Sequence, residues 1–256
     1  MLTGIAVGAT LALAQEPVPN PTPASPAPRA AVISPKAQDI LDRTIQALGG
    51  TAFLGFKRLS TKGRAFAFAD GETAGLEPYE SWVEFPDKRR FSYGKKEPVI
   101  LVNNGDHGWE LDPYGPTAQK RSQVIGWKLT VRYGLENLLR LRIHEPGMLI
   151  QDSGTDFIDN LSVRVLTLID SSEVETKLCV NKVNYLPVRI QYRVRNPQND
   201  DWDVYADVYS DYLPMQGIKT PMHITRFLND ERIGETFRNT AKYDENYPPS
   251  YFQAPY

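Results

Sequence analysis

A single cysteine, Cys179, and three histidines are all that this 256-residue chain offers of thiol and imidazole ligands. One thiol cannot build an intramolecular disulfide framework or a cysteine-based zinc cluster, so Cys179 reads as a small core residue. His107, His144 and His223 stand in separate segments and none falls in an H-E-x-x-H spacing. Zinc needs three or four converging ligands. No metal and no other cofactor is expected. An excess of charge is missing too: 29 Lys and Arg against 31 Asp and Glu leave a formal net charge of −2. So balanced a chain projects no positive field to gather nucleic acid or an anionic membrane. The sequence also lacks a G-x-S-x-G elbow, a glycine-rich phosphate loop and a G-x-G-x-x-G fingerprint. The chain is therefore read as a non-enzyme, and a hydrolase whose residues converge only in space ranks last.

Hydrophobic residues at 41% and charged residues at 23% match ordinary globular usage, so a sizeable core is available. Leu2 to Ala14 is apolar but too short for a bilayer, which takes about 20 residues. Ending in Ala12-Leu13-Ala14, it reads as a signal peptide over 1–14, trimmed or truncated because no basic start precedes it. No membrane-spanning segment is expected in the mature chain. Pro17, Pro19, Pro21, Pro23, Pro26 and Pro28 forbid helix, so 15–33 reads as a disordered, proline-rich linker. The remainder, 34–256, reads as one domain.

Ser34-Pro35 and Gly49-Gly50 bracket a helix over 35–48, with Ala37, Leu41, Ile45 and Leu48 on one face. From Leu59 the period changes to two. Phe66 and Phe68 share a face, and Ser81, Val83 and Phe85 turn at Pro86-Asp87 into Arg89, Phe91 and Tyr93. A strand at 98–103 turns at Asn104-Gly105 towards Trp109. Val174 to Val180 and Leu186 to Val194 alternate cleanly, and 202–212, 218–228 and 233–243 complete the set. Val124, Trp127, Val131, Leu135 and Leu138 break the alternation with helical spacing, and the helix is placed at about 135–144. About ten antiparallel strands with helices over the concave side make an α+β, mainly β half-barrel.

Two charged groupings invite chemistry. Asp203, Asp207 and Asp211 repeat every fourth residue, about 13 Å apart on a strand, too far for paired carboxylates. They are taken as an exposed charged face. Lys88-Arg89-Arg90 is taken as a charged hairpin guarding a sheet edge, with Arg89 and Arg90 on opposite faces.

Ala47-Leu48-Gly49-Gly50, Gly105 to Trp109, Leu186-Pro187-Val188-Arg189, Tyr209 to Tyr212, Gly217-Ile218 with Pro221, and Phe252 with Pro255 give the chain its likeness. Over roughly 37–256 it resembles the periplasmic lipoprotein-carrier superfamily, the LolA-type unclosed β-barrel. The resemblance implies a soluble periplasmic protein that holds lipid or the acyl chain of an acylated protein between sheet and helices. On that fold the trough would be lined by Phe66, Phe68, Val83, Phe91, Trp109, Leu138, Val188, Ile190 and Tyr192. The same residues would equally make a closed core. The alternative role is an envelope protein-interaction or stress-sensor module that engages another envelope protein.

Overall fold

The computed structural model describes residues 30–196 and 201–254. The expected export segment, residues 15–29 of the proline-rich stretch and Pro255 lie outside the described residues. Within the end of that stretch, Val32–Ile33 form a short strand, β1, paired in parallel with Leu149 and Ile150. The Ser34 hydroxyl then accepts from the Ala37 N–H and Pro35 takes the first helical position, so α1 runs Pro35–Leu48 as the spacing predicts. Gly49, at φ 131°, ends it, and a Cβ there would stand 2.5 Å from the Gly217 carbonyl oxygen. Only glycine tolerates both that backbone and that approach.

After a short α2 (Thr51–Gly55) come β2 (Arg58–Ala69), β3 (Glu72–Glu84), β4 (Lys88–Tyr93), β5 (Val99–Asn104), β6 (His107–Asp112) and β7 (Gly115–Ala118). Helices α3 (Arg121–Tyr133) and α4 (Leu135–Arg140) interrupt the sheet, followed by a 3-10 turn at Arg142–His144. Seven strands remain: β8 (Leu149–Ile158), β9 (Leu161–Ile169), β10 (Glu175–Asn181), β11 (Pro187–Arg195), β12 (Trp202–Met215), β13 (Ile218–Leu228) and β14 (Glu231–Tyr243). All join one unclosed sheet in the order β1-β8-β9-β10-β11-β12-β13-β14-β2-β3-β4-β5-β6-β7. Every pairing except β1 with β8 is antiparallel. Because β7 is one edge and β8 sits beside the other, residues 119–148 must travel the width of the sheet. They do so as α3 and α4 across one face, the inner face of a half-barrel.

The fold is therefore the mainly β half-barrel expected, with fourteen strands rather than about ten. Of the four additional strands, β1 has two residues, β7 is Gly-Pro-Thr-Ala at an edge and β8 shifts register between Asp152 and Thr155, whereas β9 is a regular nine-residue strand that the expected set lacks. The second helical region also starts earlier than the expected 135, at Arg121, and divides at Gly134.

Half of the inner face is filled. Leu41 and Leu48 of α1 and Leu138 and Leu139 of α4 meet Leu166, Leu178 and Ile190 of the sheet, all at 1% exposure or less. Each such leucine or isoleucine contributes about 1.5–3 kcal/mol through burial. This cluster fixes α1 and α4 against β8–β13. Among the described residues, no helix is long and apolar enough to cross a membrane.

Candidate functional site

The other half of the inner face is covered differently. Helix α3 crosses it, and of its thirteen residues only Trp127 and Tyr133 are buried, while Ile125 remains 47% exposed. Beneath it lies a hollow of about 180 Å³. The sheet supplies Leu59, Val83 and Arg89, and the helices supply Trp127, Val131 and Glu136. The floor follows from pairing. Leu59 faces Val83, Thr61 faces Ser81 and Gly63 faces Tyr79 across β2 and β3, and Val83, Ser81 and Tyr79 face Arg89, Phe91 and Tyr93 across β4. Phe91 stacks on Tyr79 at 5.4 Å and lies 5.9 Å from Tyr93, which makes an aromatic strip leading from the hollow along the inner wall.

Three arginines surround this space. The Arg226 guanidinium donates two bonds to the Asp207 carboxylate at 2.7 and 2.8 Å and one to Thr130 Oγ1 at 3.4 Å. Asp207 holds the Arg226 pKa above the usual arginine range although burial opposes this. Arg89 stands 4.7 Å from the Trp127 ring and 5.5 Å from the Phe91 ring, and its Nη2 donates to Asn103 Oδ1 at 3.3 Å. Burial, and then the neighbouring Arg226, push the Arg89 guanidinium down to about 10, so it stays charged at neutral pH. Arg238 completes the wall and donates to the Pro221 carbonyl at 3.0 Å.

The expected trough residues divide between the two faces. Val83 lines the hollow and Phe91 lies on the same inner face. Leu138 and Ile190 are wholly within the packed core, and Tyr192 is clamped between Tyr133 at 3.8 Å and Tyr205 at 5.4 Å. Phe66, Phe68 and Trp109 face outwards. Phe66 pairs with Glu235 and packs on Phe68 and Phe237, and Trp109 pairs with Val102 and stacks on His107. Val188 also leaves the inner face: a register shift at Cys179/Val180 turns it into an outer cluster with Val163, Val165 and Cys179. Alternation shows which side chains share a face, but not which face it is, and it fails at a bulge.

Charged residues carry the larger corrections. Asp207 is 5% exposed and paired with Arg226, which overturns the exposed aspartate face. Arg89 and Arg90 do take opposite faces, Arg90 lying 5.2 Å from the Tyr251 ring. Yet Arg89 is enclosed under α3 and does not guard an edge. The readable signal was an arginine at an inward-facing position of an otherwise apolar alternation.

A second constellation sits on the outer face. Ser210 Oγ lies 3.1 Å from His223 Nδ1, and His223 Nε2 lies 2.7 Å from Glu235 Oε1. The distances suit a serine–histidine–carboxylate relay. The serine, however, lies in the extended chain of β12 rather than at a strand-to-helix turn, so no helix N-terminus stands ready to receive an oxyanion. His223 is stacked on Phe237 at 4.1 Å, and the group closes on itself as a cross-strand network.

No protein-family model and no curated protein matches the chain. Solved structures do. A DUF1329 family protein from Desulfovibrio piger superposes with a TM-score of 0.57 at 11% identity, covering 84% of this chain and 96% of that one. A putative outer membrane lipoprotein-sorting protein domain from Vibrio parahaemolyticus gives 0.53 at 8% identity, again with 84% and 96% coverage. The mainly β half-barrel of this chain is thus a fold it shares with these two solved structures.

Proposed function

We propose that the protein is a non-enzymatic carrier in the bacterial periplasm that binds an acyl chain, of a lipid or an acylated protein, along the inner wall beneath α3. The observation that carries this reading is the contrast between the two halves of the inner face. Leu41 and Leu48 of α1 and Leu138 and Leu139 of α4 are tightly packed against one half, whereas α3 buries only two of its residues and roofs a hollow whose floor residues Ser81 and Val83 share a face with the Tyr79–Phe91–Tyr93 strip. A sixteen-carbon chain represents roughly 12 kcal/mol of gross transfer free energy, at about 0.8 kcal/mol per methylene, and hiding it requires an enclosed apolar site.

The hollow of about 180 Å³ is near the roughly 150 Å³ that accepts one benzene and below the roughly 300–1,000 Å³ of ordinary ligand pockets. A whole chain therefore enters only when α3 lifts. The helix suits that motion because it buries few side chains and Gly134 separates it from α4. The likeness to an outer membrane lipoprotein-sorting domain supports the same ligand class, and the apolar Leu2–Ala14 run supports export. Gentle purification followed by mass spectrometry of organic extracts tests the proposal, together with uptake of a fluorescent fatty acid. The expected result is co-purified lipid and saturable uptake; extracts free of lipid with no uptake would sink it.

A further inference from the structure

Buried polar atoms in folded proteins find partners, and an orphaned donor costs about 1–3 kcal/mol. Around the hollow this rule is broken repeatedly. Arg89 Nε, Trp127 Nε1 and Arg238 Nε are buried donors without an acceptor, and all three residues line the same space. Trp127 is only 5% exposed, and its indole N–H is buried with the rest of the ring. A fourth orphan, the Tyr79 hydroxyl, lies on the same face of β3 two residues beyond Ser81, at the start of the aromatic strip. Every one of these groups can donate a hydrogen bond and none of the three nitrogens can accept one.

The charges are unbalanced in the same sense. Among the described residues, no carboxylate lies within ion-pair distance of Arg89 or Arg238, and Asp207 is occupied by Arg226. Glu136 is the one carboxylate on the wall. Two guanidiniums and orphaned donors thus converge on a space bordered by one acid. A neutral hydroxyl head would satisfy one donor and leave the charge uncompensated. A carboxylate or phosphate oxygen satisfies several donors at once and forms charge-assisted bonds.

We infer that the hollow under α3 receives the anionic head, carboxylate or phosphate, of an acyl-chain amphiphile, with Arg89 and Trp127 as its principal donors. The inference rests on the acyl-binding reading above and adds the chemical class of the head. The hollow has room for such a head and the first few methylenes, while the tail follows Phe91 and Tyr93 along the wall. Trp127 then has two positions to serve: over Arg89 with the roof closed, and against the bound head when α3 has admitted it.

The test is calorimetric titration of the full chain with decanoate, decyl phosphate and 1-decanol, using wild type, Arg89→Gln and Arg89→Lys. Wild type is expected to bind at least one anion about tenfold more tightly than 1-decanol, with the stronger of the two anions identifying the head. Arg89→Gln should bring that preference to within twofold of unity, the loss of affinity falling chiefly on the anion, and Arg89→Lys should keep part of it. Should Arg89→Gln fail to fold, Trp127→Phe decides instead, and a fall of about threefold in the preference for the anion over 1-decanol is expected. Equal binding of all three amphiphiles, or an anion preference untouched by these substitutions, overturns the head-group inference alone. Failure of every amphiphile to bind overturns the acyl-binding reading with it.

Discussion

Replacing Asp170 with asparagine tests how the roof is anchored. Asp170 is 5% exposed and follows the end of β9. Its Oδ2 accepts from Arg132 of α3 at 2.6 Å and from Arg142 at 3.1 Å, and its Oδ1 accepts the N–H groups of Ser172 and Val174. Breaking one partner of a buried ion pair costs about 3–5 kcal/mol. Two features reduce this: Glu145 stays 3.3 Å from Arg142, and an asparagine oxygen still accepts from the two N–H groups. A loss of about 3 kcal/mol is expected, which for a domain of this size lowers Tm by roughly 6–12 °C.

The pH dependence supplies the sharper check. Burial alone would raise the Asp170 carboxyl, but Arg132 and the N–H groups of Val174 and Ser172 outweigh it, so its folded-state pKa is lowered. A depressed carboxyl stabilises fully above its unfolded value of about 3.9, and that contribution is lost as pH falls through the folded value. In urea titrations the gap between wild type and variant should be constant from pH 7 to 5. Below about pH 4 it should narrow, by up to about 1.4 kcal/mol per pH unit. A gap that is absent at pH 7, or as wide at pH 3 as at pH 7, would refute the anchoring argument.

Three further outcomes follow from the division of the sheet into two faces. Leu138→Ala opens a void in the filled half and should cost about 3–5 kcal/mol by chemical denaturation, with acyl affinity unchanged once folded. Phe91→Ala should weaken decanoate binding several-fold, whereas Phe66→Ala, on the outer face, should leave affinity within twofold in the same titration. Burial pushes the Cys179 thiol up to about 11, so an aromatic disulfide reagent should fail to modify native protein at pH 8 and react promptly in denaturant.

Much of the architecture was legible because its signals are local. The Ser34-Pro35 cap and Gly49 bound α1, the Pro86-Asp87 and Asn104-Gly105 turns mark hairpins, and alternation through β10–β14 is strong. Three of the strands that escaped are short or irregular, β1, β7 and the bulged β8, while β9 escaped although it is a regular nine-residue strand. The site was less legible. Parity grouped Phe66 with Phe68, and Arg89 with Phe91, but only the crossover of α3 and α4 decides which face is inside. The Cys179/Val180 register shift then moved Val188 away from Ile190. The polar wall of the hollow, Arg89, Trp127 and Arg238, is assembled from β4, α3 and β14, whose approach no local pattern encodes.

Photo-crosslinking with a diazirine-bearing fatty acid, followed by peptide mapping, tests the central claim most directly. Label is predicted on inner-face residues of β3 and β4 and on α3, with Val83, Phe91 and Trp127 prominent. Label concentrated on Phe66, Phe68 or Trp109 of the outer face, or no saturable label at all, would contradict it.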